Sequence, residues 1–357
     1  MKRWTTLAVV AVLAAGCGED IVTPPASGAS STTLAGGTVR LLTHDSFLVS
    51  DEVLAQFTAA TGLEVQVLRA GDAGSMVNQA VLTAGNPVAD VLFGLDNTFL
   101  SRALEADLFL AYESPALARL IPGLALDPGH RVTPIDFGDV CLNYDKAAFV
   151  GTPPPQTLAD LADPAYRGML VVQDPATSSP GLAFLLATIA TFGESGDYTW
   201  LDYWADLRAN DVQVTSGWEE AYYGAFSGGS GEGDRPIVVS YASSPPAEVI
   251  YAEEPLTEAP TAVVTEGCFR QIEFAGILRG TSHEAAARAL IDFMLSEEFQ
   301  EDIPLNMFVF PALAGADLPP EFIAYTEVPA SPLTIDAATI EANRLRWTDE
   351  WASVVLP

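Results

Sequence analysis

The sequence predicts an α/β protein with more than one domain, and three observations carry that prediction. From residue 38 onward, short apolar runs typical of strands alternate with amphipathic stretches of helical length, a pattern that indicates a parallel sheet with crossover helices. The chain has 357 residues, more than a single hydrophobic core usually serves. Apolar residues make up 49% of it, so two cores can be filled.

The charge of the chain argues against two classes of partner. Lysine and arginine together number 16 and aspartate and glutamate 47, so the formal net charge is -31. Phosphate groups are bound by clustered basic side chains, and therefore neither nucleic acid nor an anionic membrane surface is an expected partner. We expect the acidic residues to be spread over the surface, where they favour solubility.

The first residues predict export. Lys2 and Arg3 precede an apolar run over residues 7–15, as in a secretory signal peptide, and the run is shorter than the about 20 apolar residues that span a bilayer. Leu13 to Cys17 resembles a bacterial lipobox, in which the cysteine becomes the lipidated first residue. We expect an exported lipoprotein that faces the periplasm or the cell exterior. The alternative is an ordinary signal peptide with an incidental cysteine.

A linker follows the signal peptide, which we predict over residues 1–16. Residues 17–37 are rich in Ser, Thr, Pro, Ala and Gly and show no apolar periodicity. We therefore predict that this segment is a flexible tether, anchored by lipid at Cys17, between the membrane and the folded protein.

Two cysteines, Cys141 and Cys268, remain in the mature chain. Each lies in a stretch with strand character, and an oxidising compartment favours a disulfide between them. Two buried free thiols are the alternative. A metal site is not expected, because the chain has no CxxC or HxxxH spacing and its three histidines are scattered: His44, His130 and His283.

The first part of the chain alternates strands with helices. Strands are predicted over residues 39–42, 63–68 and 90–94, and helices from Ser50 to Phe57 and from Met76 to Thr83. Each strand is followed by a polar cluster that contains an aspartate: Asp45, Asp72 and Asp96. Because the carboxyl ends of parallel strands meet at one edge of a sheet, these residues indicate a polar cleft. A helix cap is the alternative for each.

The chain then crosses into a second lobe and later returns. Apolar runs over residues 131–135 and 140–144 mark the crossing, and a strand over 168–172 leads to Ser178 and Ser179, whose position at a helix start suits an oxygen or phosphate of a ligand. A strand over residues 268–277 returns to the first lobe. We predict these divisions: lobe 1 over residues 38–137 and 270–299, lobe 2 over residues 138–269, and a C-terminal packing segment over residues 300–357.

The stretch from Thr215 to Pro246 is the strongest candidate for a ligand site. Trp218 and Tyr222 are four residues apart in a helical stretch, so their rings can share one face. An apolar strand then ends at Ser240-Tyr241 and turns into a helix that starts with proline. Aromatic faces at a sheet edge suit an aromatic or cationic small molecule. Packing of both rings into a core is the alternative.

Several segments resemble, in order and spacing, those of bacterial thiamine-binding proteins, the extracytoplasmic receptors of thiamine-type ABC importers: THDSF, ADVLFGLDN, PIDFGDVCLNYDK, QDPATSSPGLAFLL, VTSGWEEAY, VVSYASSPP and WTDEW. The resemblance implies the type II periplasmic-binding-protein fold, with two α/β lobes of mixed or parallel sheets, joined by crossover hinge strands, that close on a ligand. It also implies a monomeric transport protein, with neither catalytic residues nor a cofactor, that passes thiamine or its phosphates to an ABC permease.

The resemblance also implies a set of ligand contacts: Asp72, Ala73, Ser178, Ser179, Trp218, Tyr241, Ala242, Ser243 and Ser244. The strand ends and the aromatic pair add Asp45, Asp96 and Tyr222. In this hypothesis the aromatic rings stack on the ligand, Asp72 accepts from its exocyclic amine, and the serines hold its hydroxyl or phosphate end. The chain departs from the family pattern at Ala242, where a hydroxyl residue is common, and at residues 71–74, where the family has an Asp-Gly pair.

Two other functions are weaker alternatives. Ferric iron receptors of the same fold use paired tyrosines, and Tyr222-Tyr223 is such a pair, but adjacent helix residues diverge by about 100°. A secreted hydrolase would need an activated nucleophile, and neither Ser178 nor Ser243 lies in a GxSxG motif. The iron receptor is therefore the alternative within the fold, and the hydrolase is the less favoured one.

Overall fold

The computed structural model describes residues 37–356. The predicted signal peptide, the lipidation site at Cys17 and all but the last residue of the tether lie outside the described residues. Within residues 37–356, no helix combines the length and the apolar character needed to cross a membrane.

The first half of the sheet follows the predicted alternation of strands and helices. Its elements are β1 (Gly37–Thr43), α1 (Asp51–Thr61), β2 (Leu63–Arg69), α2 (Ala73–Leu82), β3 (Val91–Asp96), α3 (Leu100–Glu105) and β4 (Phe109–Leu110). Strand β1 lies between β2 and β3 and pairs with both in parallel, which confirms the parallel arrangement predicted for these strands. Their carboxyl ends therefore meet at one edge of the sheet.

Local signals in the sequence set the ends of the first two helices. The Ser50 hydroxyl accepts a hydrogen bond from the Val53 amide at the start of α1, and Gly62 ends that helix with a φ of 75°. Helix α2 begins at Ala73 rather than at the predicted Met76. The reason is that Asp72 caps it, accepting from the Ala73 amide at 2.6 Å.

The second half of the sheet contains two long strands and three short ones. Its elements are β5 (Thr133–Asp145), β6 (Leu170–Gln173), α4 (Ser179–Phe192), α5 (Trp200–Ala209), β7 (Gln213–Thr215), a π-helix (Glu220–Ala225), β8 (Ile237–Tyr241), α6 (Pro245–Ile250) and β9 (Thr261–Leu278). Strand β6 pairs in parallel with β7 and β8. The apolar runs over residues 131–135 and 140–144 are not separated by a loop, because residues 133–145 form one continuous strand, β5. The polar residues between them lie within β5, where neighbouring strands satisfy the backbone.

Strands β5 and β9 belong to both halves. The strand order is β2-β1-β3-β9-β5-β8-β6-β7, and β9 is antiparallel to both β3 and β5. Near its carboxyl end β9 pairs with β3, where Glu273 faces Asp96, and near its amino end it pairs with the last residues of β5. These two strands therefore connect the halves as crossover strands would. The lobe boundaries themselves stay a prediction.

The C-terminal segment packs against both halves. It follows α7 (Glu284–Met294) and contains α8 (Glu297–Asn306), β10 (Phe310–Pro311), α9 (Pro320–Tyr325) and α10 (Ala337–Val355). In α10, the Trp351 ring lies edge-on to Trp204 of α5 at 5.6 Å, and the Arg344 guanidinium lies 5.6 Å from the ring of Phe99, next to α3. Helix α10 thus packs against helices from both parts of the chain.

A disulfide joins the two crossover strands. Cys141 of β5 and Cys268 of β9 are bonded, with Cα atoms 4.4 Å apart and 127 residues between them in sequence. The predicted pairing is confirmed, and the alternative of two free thiols is wrong. A covalent link over such a long loop restricts the unfolded chain and stabilises the connection between the halves.

Candidate functional site

A cleft of about 920 Å³ lies where the strands of both halves end. The first half contributes residues after β1 and at the start of α2, and the second half contributes the start of α4, the π-helix region, the end of β8 and α6. Among the predicted ligand contacts, these line the cleft: Asp45, Asp72, Ala73, Ser179, Trp218, Tyr222, Tyr241 and Ser244. The cleft thus brings together residues that are up to about 200 positions apart in sequence.

Asp72 connects the two sides of the cleft. Besides capping α2, its second carboxylate oxygen accepts from the Trp218 amide at 2.9 Å. Next to it, the Gly74 amide donates to the Thr177 carbonyl at 3.0 Å, and a side chain at Gly74 would collide with that carbonyl. The two halves are therefore in direct backbone contact at this point. Burial raises the pKa of the Asp72 carboxyl, while its bonds to the two amides act in the opposite direction.

An aromatic wall, formed by Trp218, Tyr222 and Tyr223, lines the second-half side of the cleft. The Trp218 and Tyr222 rings stack with centroids 4.9 Å apart and planes 19° from parallel. The predicted common face of these two residues is confirmed. An ordinary α-helix was expected there, but the structure has a π-helix from Glu220. In it the Phe226 amide donates to the Ala221 carbonyl, five residues earlier.

Hydrogen bonds hold the wall in place. The Trp218 indole donates to the Ser240 hydroxyl at 2.9 Å, and the Tyr222 hydroxyl donates to Glu248 at 2.7 Å. Burial raises the pKa of Tyr222 well above its ordinary value, and the Glu248 charge adds to this. Tyr223 is 46% exposed and lies edge-on to Trp218. The wall therefore offers a fixed flat surface whose anchoring groups face the protein.

Tyr241 forms the end of β8 at the base of the cleft. Its hydroxyl accepts from the Gln271 amide at 3.0 Å, and the same amide group donates to Glu273. Burial, and then the charge of Glu273, raises the pKa of Tyr241 well above its ordinary value. Trp218 and Tyr241 are thus neither sealed in a core nor separated from Asp72, since all three line one opening.

The predicted serine contacts divide into two groups. Ser179 and Ser244 line the cleft, but their hydroxyls already have protein partners: Ser179 bonds Asp96, and Ser244 bonds Ser240 at 2.8 Å. Ser178, Ala242 and Ser243 are fully or almost fully buried and do not line the cleft. Ala242 packs with the disulfide of Cys141 and Cys268. As ligand contacts, all five stay predictions.

Asp45 and Asp96 occupy different environments. Asp45 is exposed at the rim, and its carboxylate accepts from the Gly71 amide at 3.1 Å. Asp96 is fully buried behind Ser179 and accepts from the Thr98 amide. Burial raises the pKa of Asp96 to about 7, and the charge of Glu273 adds to this rise. Asp96 therefore supports the cleft from behind and does not line it.

Sequence reasoning missed an acidic floor, formed by His44, Asp72 and Glu273, of which only Asp72 was predicted. His44 Nε2 lies 3.7 Å from a carboxylate oxygen of Glu273. Burial by itself would lower the pKa of His44, but Glu273, Asp72 and Asp45 together raise it. Gly94 makes room for the imidazole, because a side chain there would overlap it. Glu273 had a signal in the sequence: it and Gln271 interrupt an apolar strand at alternate positions.

The tyrosine pair and its surroundings bear on the iron alternative. Among residues 37–356, no group of three or more His, Cys, Asp or Glu side chains could hold an ion. The adjacent tyrosines differ in role, since Tyr222 is buried on Glu248 and its ring is 83° from the plane of Tyr223. A raised pKa also disfavours the phenolate that iron would need.

The chain is similar in sequence and in structure to known bacterial binding proteins. A profile described as bacterial extracellular solute-binding protein matches residues 86–331. The chain is 31% identical to the thiamine-binding periplasmic protein of Escherichia coli (strain K12), covering 89% of this chain and 93% of that protein. It is 28% identical to the protein of that name from Brucella suis biovar 1 (strain 1330), over 91% and 94%. A solved structure titled periplasmic thiamin binding protein matches with a TM-score of 0.79, at 29% identity over 90% and 96%.

Proposed function

The chain belongs to the bacterial extracellular solute-binding protein family, and we propose that it binds thiamine in the cleft and delivers it to an ABC permease. The observation that carries the proposal is the opening shared by Asp72, Trp218 and Tyr241, which combines an acidic group with aromatic faces. Thiamine has a cationic thiazolium ring, an aminopyrimidine and a hydroxyethyl arm. Its chemistry therefore matches both properties of the cleft.

The aromatic wall suits the flat rings of the vitamin. A cation over an aromatic face gains about 0.5 to 2 kcal/mol. Trp218 lines the cleft while its indole nitrogen is held by Ser240, so the ring needs no reordering when a ligand arrives. Preorganisation of this kind lowers the entropic cost of binding.

Asp72 suits the exocyclic amine of the aminopyrimidine. Each carboxylate oxygen has more than one lone pair, so Asp72 can accept from an amine while keeping its bonds to the Ala73 and Trp218 amides. The same residue would then contact the ligand and both halves of the protein. We infer that ligand binding favours the closed arrangement of the halves through Asp72, and that a permease recognises this closed form.

The location and state of the protein complete the proposal. We infer export through the signal at residues 1–16 and anchoring through a lipid on Cys17, with a monomer as the working form. The relatives are named as binding proteins, and this supports a carrier without catalytic turnover.

Mass spectrometry of the small molecule released from purified, denatured protein tests the proposal. We expect thiamine or a close relative, and a following titration with thiamine should change the tryptophan fluorescence to saturation at one ligand per chain. Recovery of a different compound together with a flat thiamine titration would contradict the proposal. Ferric salt, added in parallel, should give no phenolate charge-transfer band.

A further inference from the structure

The two crossover strands pair with each other in two stretches, and the pairing is interrupted between them. The paired stretches join residues 133–140 of β5 to 269–275 of β9, and residues 142–145 to 261–264. Between them β5 has one residue, Cys141, and β9 has four, Thr265 to Cys268. These four residues are here called the β9 bulge. A bulge leaves its extra residues outside the ladder of hydrogen bonds, and the strand bends there.

The β9 bulge is irregular and partly exposed. Thr265 and Glu266 are exposed, and the Glu266 carboxylate accepts from the Leu158 amide at 2.9 Å. Gly267 has a φ of 77°, in the left-handed region that favours glycine. A segment without ladder bonds to its neighbour changes shape at lower cost than the paired strands on either side of it.

Strand β9 passes from one half of the sheet to the other at the bulge. Before it, Val263 and Val264 pair with the end of β5, which itself pairs with β8 in the second half. After it, the side chain of Asn97, which follows β3, accepts from the Ile272 amide at 2.8 Å and donates to the Arg270 carbonyl at 3.1 Å. The residues after the bulge are therefore held to the first half. A movement of the halves against each other would bend β9 near the bulge.

The disulfide bypasses the bulge. Cys268 is the last residue of the bulge, and Cys141 pairs with Ser240 of β8, in the second half. The bond therefore joins the end of the bulge directly to the second half and leaves residues 265–267 outside that connection. Cys141 and Cys268 are 2% and 1% exposed, and the Leu333 amide donates to the Cys268 carbonyl. A buried covalent bond and a backbone hydrogen bond thus fix the end of the bulge.

We propose that the disulfide restrains the hinge: by fixing the end of the β9 bulge to the second half, it limits how far the two halves separate. This inference rests on the closure of the halves around a ligand, which is part of the proposed function. Without the bond, residues 265–267 join the movement, and more open conformations become accessible. A ligand that needs the closed arrangement then binds more weakly, because its apparent affinity falls with the fraction of molecules in that arrangement.

Small-angle X-ray scattering and hydrogen exchange of the whole mature chain without ligand test the restraint. In Cys141→Ala/Cys268→Ala we expect a larger radius of gyration than in the wild type, at a temperature at which circular dichroism shows both proteins folded. The amides of residues 268–272 should exchange about tenfold faster or more. Thiamine affinity, measured by calorimetry, should fall about threefold or more. A radius of gyration and exchange rates equal to those of the wild type would overturn the inference.

An insertion into the bulge tests the same restraint with the disulfide in place. Gly-Ser-Gly between Thr265 and Glu266 lengthens the bulge, but the bond bypasses it, so the radius of gyration should not change and thiamine affinity should stay within about twofold. In the variant without the two cysteines, the same insertion should increase the radius of gyration further. An increase in the protein that keeps its disulfide would overturn the inference, because the bulge would then bend freely despite the bond.

The scattering and exchange measurements need no ligand, so they separate this inference from the proposed function. Unchanged scattering and exchange in the double variant, together with normal thiamine binding by the wild type, would overturn the inference alone. Absence of thiamine binding by the wild type, together with the expected changes in scattering and exchange, would overturn the proposed function instead.

Discussion

The aromatic wall and the acidic floor of the cleft are built on different principles. In the wall, Trp218 and Tyr222 are stacked on each other and held by hydrogen bonds to Ser240 and Glu248. In the floor, His44 and Glu273 are close but not hydrogen bonded, and the pKa of His44 is raised. The wall therefore supplies a fixed shape, and the floor supplies a charge that can change.

This difference shows how one ligand can be recognised in two ways. Stacking depends on area and flatness and tolerates any planar ring, whereas charge distinguishes a cation from a neutral or anionic relative. Asp72 belongs to the floor and is bonded to the backbone of Trp218, so it joins the two regions. Substitutions of Asp72, of the wall and of the rest of the floor should accordingly change thiamine affinity by different amounts and in different ways.

Substitution of Asp72, which connects the wall to the floor, should reduce thiamine affinity the most. Asp72→Ala leaves the Ala73 and Trp218 amides without an acceptor and removes the proposed contact with the ligand amine. Hydrogen bonds to charged groups are worth about 1.5 to 3 kcal/mol, so thiamine affinity should fall about 10- to 150-fold by calorimetry. Asp45→Ala, at the exposed rim, is the control, and its thiamine affinity should fall far less. Equal losses in the two variants would show that Asp72 has no special role.

Removal of the wall should have the next largest effect. Trp218→Ala deletes the stacking face and should weaken thiamine binding by about 2- to 30-fold, which corresponds to about 0.5 to 2 kcal/mol. Trp218→Phe keeps a ring and should recover part of the loss, although it cannot bond Ser240. Wild-type affinity in Trp218→Ala, measured by calorimetry, would remove the stacking hypothesis.

Thiamine affinity should depend on pH through His44 in the floor. The pKa of His44 is raised above 6.5, so the imidazole carries a positive charge below that raised pKa and loses it as pH rises. Protonated His44 offsets part of the negative charge of Asp72 and Glu273, so the floor attracts a cation less strongly, and thiamine affinity should increase by roughly fivefold as the pH rises through the pKa of His44. His44→Gln should flatten this profile. A profile that keeps its slope in the variant would assign the titration to another group, with Asp72 as the first candidate because its pKa is also raised.

Removal of the Tyr223 hydroxyl should have the smallest effect on thiamine affinity. Tyr223→Phe keeps the ring edge-on to Trp218 and removes the hydroxyl of a half-exposed side chain, so thiamine affinity and the free energy of unfolding should change by no more than about 0.5 kcal/mol. A loss of tenfold or more, measured by calorimetry, would mean that the wall acts through its hydroxyl groups. It would also renew interest in a metal bound by the tyrosine pair.

Much of the fold could be predicted from the sequence, because local signals and tertiary demands agree there. Ser50 and Gly62 mark the ends of α1, and the alternating apolar runs give β1, β2 and β3 with small errors at their ends. Local signals did not indicate the structure where burial dominates. Strand β5 continues through Asp136, which is fully buried and whose pKa is raised well above its ordinary value by that burial and by the charge of Glu273.

The candidate site was predictable in part. Trp218, Tyr241 and Asp72 were found from strand ends, ring spacing and the resemblance, and all three line the cleft. His44 was missed because a lone histidine has no spacing that identifies it, and Glu273 was missed although it and Gln271 interrupt an apolar strand at alternate positions. Ser178 was predicted from a helix start and from the resemblance, and Ala242 and Ser243 from the resemblance; the start of α4 and the turn into α6 bury these three residues.

The sequence by itself determined the class of fold, the order of strands and helices, and the residue types available for a flat cation, because each depends on patterns within about twenty residues. The bond between Cys141 and Cys268 was one of two alternatives until the structure decided it. Only the tertiary structure decided which polar groups face the cleft and which are bonded to the protein. Ser179 and Asp96 illustrate the reason: they lie 83 residues apart, and each satisfies the other only once the two halves meet.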